Sequence, residues 1–411
     1  MAQKALEGLK VVEYGQFISA PYCTKMMADF GAEVVKIEEL GVGDEARRYG
    51  PFPNDAPHPE KSGLFLYLNS NKLGITLNVR ATTGQRILKE LLTEADIFVE
   101  NNPPQLMKDL GLDYPCLKDV NPRLIMTSIT PYGQTGPYKD YKAYDLNIQA
   151  AGGGSNFIGN IERQPITFPL MQGYYQAAIS GAAATMVALF AREATGLGQQ
   201  VDISATQVLA ALFISGSMPH YVKGMPLVRL AHHGQPGFWP YTLLPCKDGY
   251  MSMMSLEFRH WQMFAEAIGN PDWALINLET GEPYTGSIDL YGADGTHKDV
   301  MDAYLIEWLM DHTKEEVFNL CFERRIPFIP VHTIEDVMKS PQFEARQYFV
   351  EIDHPEVGVL KYPGAPAKLS KTPWIIDHPA PLLGEHNVEV YCKRLGYSKE
   401  DLVKLTRIGV I

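Results

Sequence analysis

Apolar runs and polar breaks alternate along the first part of the chain. Leu9 to Glu13 is a short apolar strand, and Ala20 to Phe30 repeats apolar residues at helical spacing until Gly31 closes it. Ala32 to Ile37 (AEVVKI) is a second buried strand. The alternation returns as a strand from Leu73 to Asn78, a helix from Thr82 to Ala95 and a strand from Ile97 to Glu100. A helical turn at Leu106 to Leu110 and a strand at Leu124 to Ile129 follow. Strand–helix–strand spacing of this kind predicts an α/β fold built on a parallel sheet. Gly and Pro gather where the strands end, in GPFPNDAPHPEKSG, in Asn101-Asn102-Pro103-Pro104 and in PYGQTGP. Ligand sites of open α/β sheets lie along that edge.

The middle of the chain has a different texture. From Phe168 to Gly198 a proline turn passes through Gly173 into a long run of small and apolar residues, Ala177 to Phe190. Without a polar face, this run predicts a buried helix, reversed at Thr195-Gly196-Leu197-Gly198. Gln200 to Ile203 is a strand and Ser204 to Ile214 a helix. From about His220 the chain turns aromatic and turn-rich, with a strand at Tyr250 to Met254 and helices at Glu257–Ile268, Val300–His312 and Lys314–Glu323, the pattern of a smaller α+β domain. Beyond Pro327, short helices fall at Ile334–Lys339, Val388–Leu395 and Lys399–Thr406.

Composition narrows the function. A net charge of −12 gives nucleic acid no electrostatic welcome. The N-terminus lacks a basic-then-apolar leader, and no run suggests a bilayer span. Cys23, Cys116, Cys246, Cys321 and Cys392 are odd in number and widely spaced, as in a reduced cytoplasmic protein with free thiols. No P-loop, GxGxxG, GxSxG or HExxH occurs, and no residues have metal-ligand spacing. His232-His233 reads as a turn. Phe238-Trp239-Pro240-Tyr241 reads as small-domain core, with a pocket for an aromatic acid as the other reading.

Several stretches, in order and at matching intervals, go further: LKVVEYGQFISAPYCTKMMADFGAEVVKIE, GVGDEAR, LNSNKLGITLN, ADIFVENN, NPRLIMTSITPYGQTGPY, YDLNIQAAGG, ALFAREATGLGQQVDIS and GQPGFW. Over nearly its whole length the chain resembles the class III CoA-transferases. The resemblance implies a Rossmann-like large domain made from both chain ends (1–218 and 327–411), an inserted smaller α+β domain (219–326), and a dimer of two chains threaded like linked rings. It also implies covalent catalysis. An aspartate attacks the donor thioester to give an anhydride, CoA thiolate converts that to an aspartyl-CoA thioester, and CoA passes to the acceptor acid.

Counted back from Thr195, the aspartate position of the family is Tyr174, preceded by the matching Gly173. Gln172, Tyr175 and Gln176 offer no carboxylate either, and the histidine position of the racemase branch, before Asp145, is Tyr144. Lys72, Asn101 and Lys142 match positions that contact CoA in the family. Three departures run the other way: a basic position falls at Glu39 or Leu40, a phosphate-pairing arginine at Asp109, and a glycine run at Ala231-His232-His233-Gly234-Gln235. The resemblance therefore points to one subunit of a heteromeric CoA-transferase that lacks the nucleophile. Its partner is a homologous catalytic subunit carrying the aspartate, as in the two-subunit benzylsuccinate CoA-transferases of anaerobic aromatic degradation. Coenzyme A or an acyl-CoA enters as substrate, held mainly by the partner, with no metal and no covalently bound cofactor. The alternatives are a self-sufficient transferase or racemase using another residue, and an acyl-CoA or carboxylate-binding protein.

Overall fold

In a computed structural model of the chain, residues 4–160, 163–212, 239–286 and 296–411 are described, together with the single positions 222, 224, 229 and 290. His220, the run from Ala231 to Gln235 with His232 and His233, and Phe238 lie outside the described residues. The chain divides into two units. The first comprises Met1–Gly154, Thr167–Met218 and Pro341–Ile411, and the second Ser155–Ile166 and Pro219–Ser340.

The first unit is built on six strands: β1 (Lys10–Tyr14), β2 (Glu33–Glu38), β3 (Lys72–Thr76), β4 (Ile97–Glu100), β5 (Ile125–Thr130) and β6 (Gln200–Ser204). They pair in the order β3-β2-β1-β4-β5-β6, every pair parallel. The α/β architecture predicted from the alternation is the observed one. Its helices are α1 (Ser19–Asp29), α2 (Gly63–Leu68), α3 (Thr82–Thr93), α4 (Pro104–Asp109), α5 (Tyr114–Val120), α6 (Asp145–Ala151), α7 (Gln172–Thr195) and α8 (Ala205–Leu212). Helices cover both faces of the sheet, so its strands are apolar on both sides. Val12, Val35, Phe98 and Met126 enter one core; Val11, Val34, Ile97 and Ile125 enter the other, with α1 and α7. Strand order reverses between β1 and β4, which opens a crevice at their carboxyl ends.

Helix α7 departs from the burial its composition predicts. Gly173, Ala177, Ala178, Gly181, Thr185, Ala188 and Arg192 are buried against the sheet and α1. A Cβ on Gly181 would come within 2.8 Å of Ile129, so glycine is what permits this approach. Thr185 shares a hydrogen bond of 2.6 Å with Thr127 of β5, and Arg192 pairs with Asp96 at 2.8 Å. The opposite face is open: Val187 is 69% exposed and Phe190 83%. The apolar run is thus two stripes, small residues toward the sheet and large ones toward solvent. By length and apolarity α7 could cross a membrane, which corrects the sequence expectation, but its small-residue stripe packs on the sheet as a core helix does. Gly196, at φ 72, reverses the chain where predicted.

In the second unit β7 (Tyr241–Cys246), β8 (Gly249–Met254) and β9 (Phe328–Pro330) form an antiparallel sheet. Helices at Phe258–Ala267, Thr296–Met310 and Lys314–Glu323 pack on it around Trp239, Trp261 and Phe264. Trp239 lies in this core, its indole N–H donating to Asp302 at 2.7 Å. The returning segment adds an element absent from the sequence expectation to the first unit: a hairpin of β10 (Phe349–His354) and β11 (Gly358–Pro363), packed on Phe65 and Leu66.

Candidate active site

At the crevice between β1 and β4 a cavity of about 420 Å³ opens, lined by the loop after β1, the Asn101–Pro103 turn after β4, the end of β5 and the first turns of α6 and α7. Its framework is set by hydrogen bonds between the loop after β1 and the turn after β4. Asn101 clamps Gln16 from both sides, accepting from its N–H (2.9 Å) and donating to its carbonyl (2.8 Å), and also donates to Ser19 Oγ. Phe17 next to it sits at φ 67, a conformation costly for a bulky side chain and found chiefly where surrounding structure enforces it. The enforcement is visible. Asp44 Oδ1 accepts the Phe17 N–H at 2.9 Å, and the Phe17 ring packs on Tyr49 (centroids 4.7 Å apart) and edge-on to Tyr174 (5.7 Å).

Asp44 is anchored in turn by charge buried beneath the cavity. Its Oδ2 accepts from Lys36 at 2.6 Å, and Lys36 also donates to Glu13 at 2.6 Å. Glu13 further accepts from Lys72 (2.9 Å) and Thr24 (2.5 Å). Burial by itself pushes the Glu13 carboxyl up, but Lys36 and Lys72 outweigh it and hold the group at about 2. Burial dominates for Lys72, which is brought down to about 8 against the pull of Glu13. A second pair follows, Arg47 gripping Glu38 with two N–H groups at 2.7 and 2.8 Å.

Tyr174 stands in the first turn of α7, after Leu170 and Met171 in the left-handed region (φ 60 and 56), and lines the cavity. Burial, then the charges of Asp145 and Glu45, pushes its phenol up to about 12, so it is an O–H group at any physiological pH. The Gly173 N–H donates to Asp145 Oδ1 at 2.8 Å, and a Cβ at Gly173 would lie 2.7 Å from that oxygen. The turn is therefore made for a glycine and an inward carboxylate. Gln149 holds the other oxygen of Asp145.

The remaining candidates scatter. Asn101 and Tyr144 line the cavity. Lys72 is sealed into the network below, its ammonium held by Glu13, Asn69 and the Pro21 carbonyl. Lys142 is exposed, one residue from the lining residue Ala143. Glu39 and Asp109 are exposed, Asp109 accepting from Gln105 within α4, and Leu40 is half-buried. Phe17, Asp44, Glu45 and Tyr49 escaped sequence reasoning as site residues. GVGDEAR carried the signal for two of them, for Asp44 caps the turn at Glu45–Arg48. Nothing in the sequence marks Phe17. Asp145 and Glu45 are the only charged residues of the described lining. Among the described residues no group of His, Cys, Asp and Glu could hold a metal ion.

The profile of CoA-transferase family III matches residues 6–387. Succinyl-CoA–D-citramalate CoA-transferase of Chloroflexus aurantiacus is 30% identical over 99% of this chain and 98% of its own. Formyl-CoA:oxalate CoA-transferase of Streptomyces avermitilis is 32% identical over 99% and 100%, and the succinyl-CoA:(R)-benzylsuccinate CoA-transferase subunit BbsE of Thauera aromatica 29% over 95% and 94%. Among solved structures, a CAIB/BAIF family protein from Brucella suis superposes with a TM-score of 0.84 at 27% identity, over 95% of this chain and 99% of that one.

Proposed function

The chain belongs to CoA-transferase family III, and from that premise we propose that it is the subunit without a nucleophile in a hetero-oligomeric enzyme that moves CoA between carboxylic acids. The observation that carries this reading is Tyr174, at the head of α7 and on the cavity wall, where the resemblance calls for aspartate. A phenol held at about 12 is a poor partner for forming and breaking an anhydride. The nucleophile then comes from a homologous chain interlocked with this one. The open apolar face of α7, with Ile179, Val187 and Phe190, favours such a partner. Coenzyme A enters as substrate. Among the three candidates for contact with it, the cavity lining by Asn101 and the exposure of Lys142 next to the lining residue Ala143 support a role for those two, whereas Lys72 is buried on Glu13 beneath the cavity.

The test compares the purified chain with the chain co-expressed with a homologue that carries aspartate after the corresponding glycine. CoA transfer from succinyl-CoA to benzylsuccinate and other acids is expected only from the pair. Borohydride or hydroxylamine trapping should label a carboxylate of the partner. Normal turnover by the lone chain sinks this reading. A second reading, a self-sufficient transferase, is favoured by one observation: Glu45 presents a carboxylate to the same cavity. Trapped label on the Glu45 peptide would establish it.

A further inference from the structure

The turn that closes the β4 side of the cavity rests on a carboxyl with no cation beside it. Glu100 ends β4 and is fully buried, and its Oε2 accepts the Asn102 N–H at 2.7 Å. Asn102 donates from its side chain to the Tyr14 carbonyl at 2.8 Å, and Asn101 clamps Gln16. Whatever moves Glu100 therefore moves Asn101 and Asn102, which both line the cavity. The second oxygen, Oε1, has no hydrogen-bond partner among the described residues, and neither has the hydroxyl of Ser128, its register partner on β5. The row across the sheet reads Tyr14, Glu100, Ser128, Asp202. Burial raises the Tyr14 phenol, with Arg80 and Glu39 near it. Asp202 is an exposed acid that accepts the Gln134 N–H, and Lys108 and Asp109 of α4 are exposed.

We propose that Glu100 is a positioning residue for ligand binding in this cavity: as an acid it holds the Asn101–Asn102 turn in shape, and on ionising it releases that wall. The inference rests on the reading of the cavity as a CoA site, though not on which part of the thioester lies where. A neutral carboxyl keeps an acceptor for the Asn102 N–H and gains an O–H on the side of Ser128. An ionised one is a buried anion whose Oε1 meets neither cation nor N–H, a state relieved only by opening to water. Burial places the exchange between the two at about 7. A polyanion such as CoA in the cavity further favours the acid, so binding draws a proton onto Glu100.

Free CoA is titrated calorimetrically into the full-length chain, with the aspartate-bearing partner added if the lone chain binds none. From about pH 6 to about pH 8 the natural chain should lose about tenfold more affinity than Glu100→Gln, whose amide accepts the same N–H without ionising. A CoA phosphate also titrates at about 6, but equally for both proteins. Hydrogen exchange of the Asn102 amide needs no ligand, and it serves on the natural chain alone should the variant fold poorly. Corrected for its intrinsic pH dependence, it should quicken above about pH 7 in the natural chain and not in Glu100→Gln. An affinity that falls equally in both proteins, or corrected exchange that ignores pH in the natural chain, overturns the role of Glu100. If CoA binds neither with nor without the partner while exchange follows Glu100, it is the reading of the cavity that falls, and the claim on binding with it.

Discussion

The two halves of one sheet edge treat buried carboxylates in opposite ways. Under β1–β3, Glu13, Asp44 and Glu38 are each matched to Lys36, Lys72 or Arg47. Under β4–β6, Glu100 is as deeply buried but has no cation: Oε2 accepts the Asn102 N–H at 2.7 Å, while Oε1 has no hydrogen-bond partner among the described residues. Ser128 lies opposite on β5, short of hydrogen-bonding geometry. Burial raises Glu100 to about 7, whereas Glu13 is held at about 2. The cavity straddles the boundary. One wall, Phe17 with the 45–49 turn, is held by salt bridges; the other, Asn101–Asn102, hangs on a carboxyl that titrates near neutrality. What separates the halves is not burial but the supply of cations from β2 and β3.

The sharpest way to break this contrast is to remove the shared cation. Lys36→Met leaves Glu13 and Asp44 buried around a missing charge and should cost about 3–5 kcal/mol, read from urea unfolding. A loss below about 1 kcal/mol would mean that the network does not brace the site.

The pH dependence of stability sharpens it next. Glu100 ionises at its ordinary 4.5 when unfolded but near 7 when folded, so between those values only the native state holds the proton. Stability should fall by about 3 kcal/mol at most as pH rises through that window, and Glu100→Gln should flatten the fall. Glu13 acts in the other direction. Its stabilisation is complete above 4.5 and is lost as pH falls toward 2. Denaturant titrations across the range resolve the two limbs; a natural chain with no decline between 4.5 and 7 would contradict the assignment for Glu100.

Gly173→Ala should cost about 1–3 kcal/mol, because its Cβ would displace Asp145. The melting temperature checks it, and an unchanged value would show that the turn can relax. The smallest effect belongs to Phe190→Ser on the open face of α7, within about 0.5 kcal/mol for the chain alone. On the proposed hetero-oligomer, its consequence should appear in weaker co-purification with the partner, and a lone chain that unfolds on this change would refute the exposure of that face.

Much of this architecture could be read from the residues. AEVVKI and IFVE, continuous apolar runs between helical patterns, led to a parallel sheet, and Gly196 to a helix end. The openness of α7 was also there to be read, though not in hydropathy. Gly173, Ala177, Gly181 and Thr185 recur every fourth position, and that stripe of size, not polarity, separates the packed face from the exposed one. The hairpin at 349–363 escaped because its outer positions carry charge and its turn, HPEVG, lies in a region read as helical returns. At the site, counting back from Thr195 singled out Tyr174, which lines the cavity. That Lys72 serves Glu13 from below, and that Glu45 faces the cavity unpaired, depend on how distant strands and turns stack, which no local pattern encodes.

Asp145, tucked against Gly173, bears on how this chain could change over evolutionary time. An aspartate placed at position 174 would bring a third negative group to Asp145 and Glu45, and mutual repulsion would favour its protonated, non-nucleophilic form. Tyr174→Asp alone should therefore leave the lone chain without transferase turnover, and immediate recovery of activity would disprove the barrier. An active aspartate there would need an earlier step at a different position, such as Glu45→Gln. That order-dependence is epistasis. On the proposed reading, two carboxylates already at this cavity would oppose a third, so a single substitution would not free the chain from its partner.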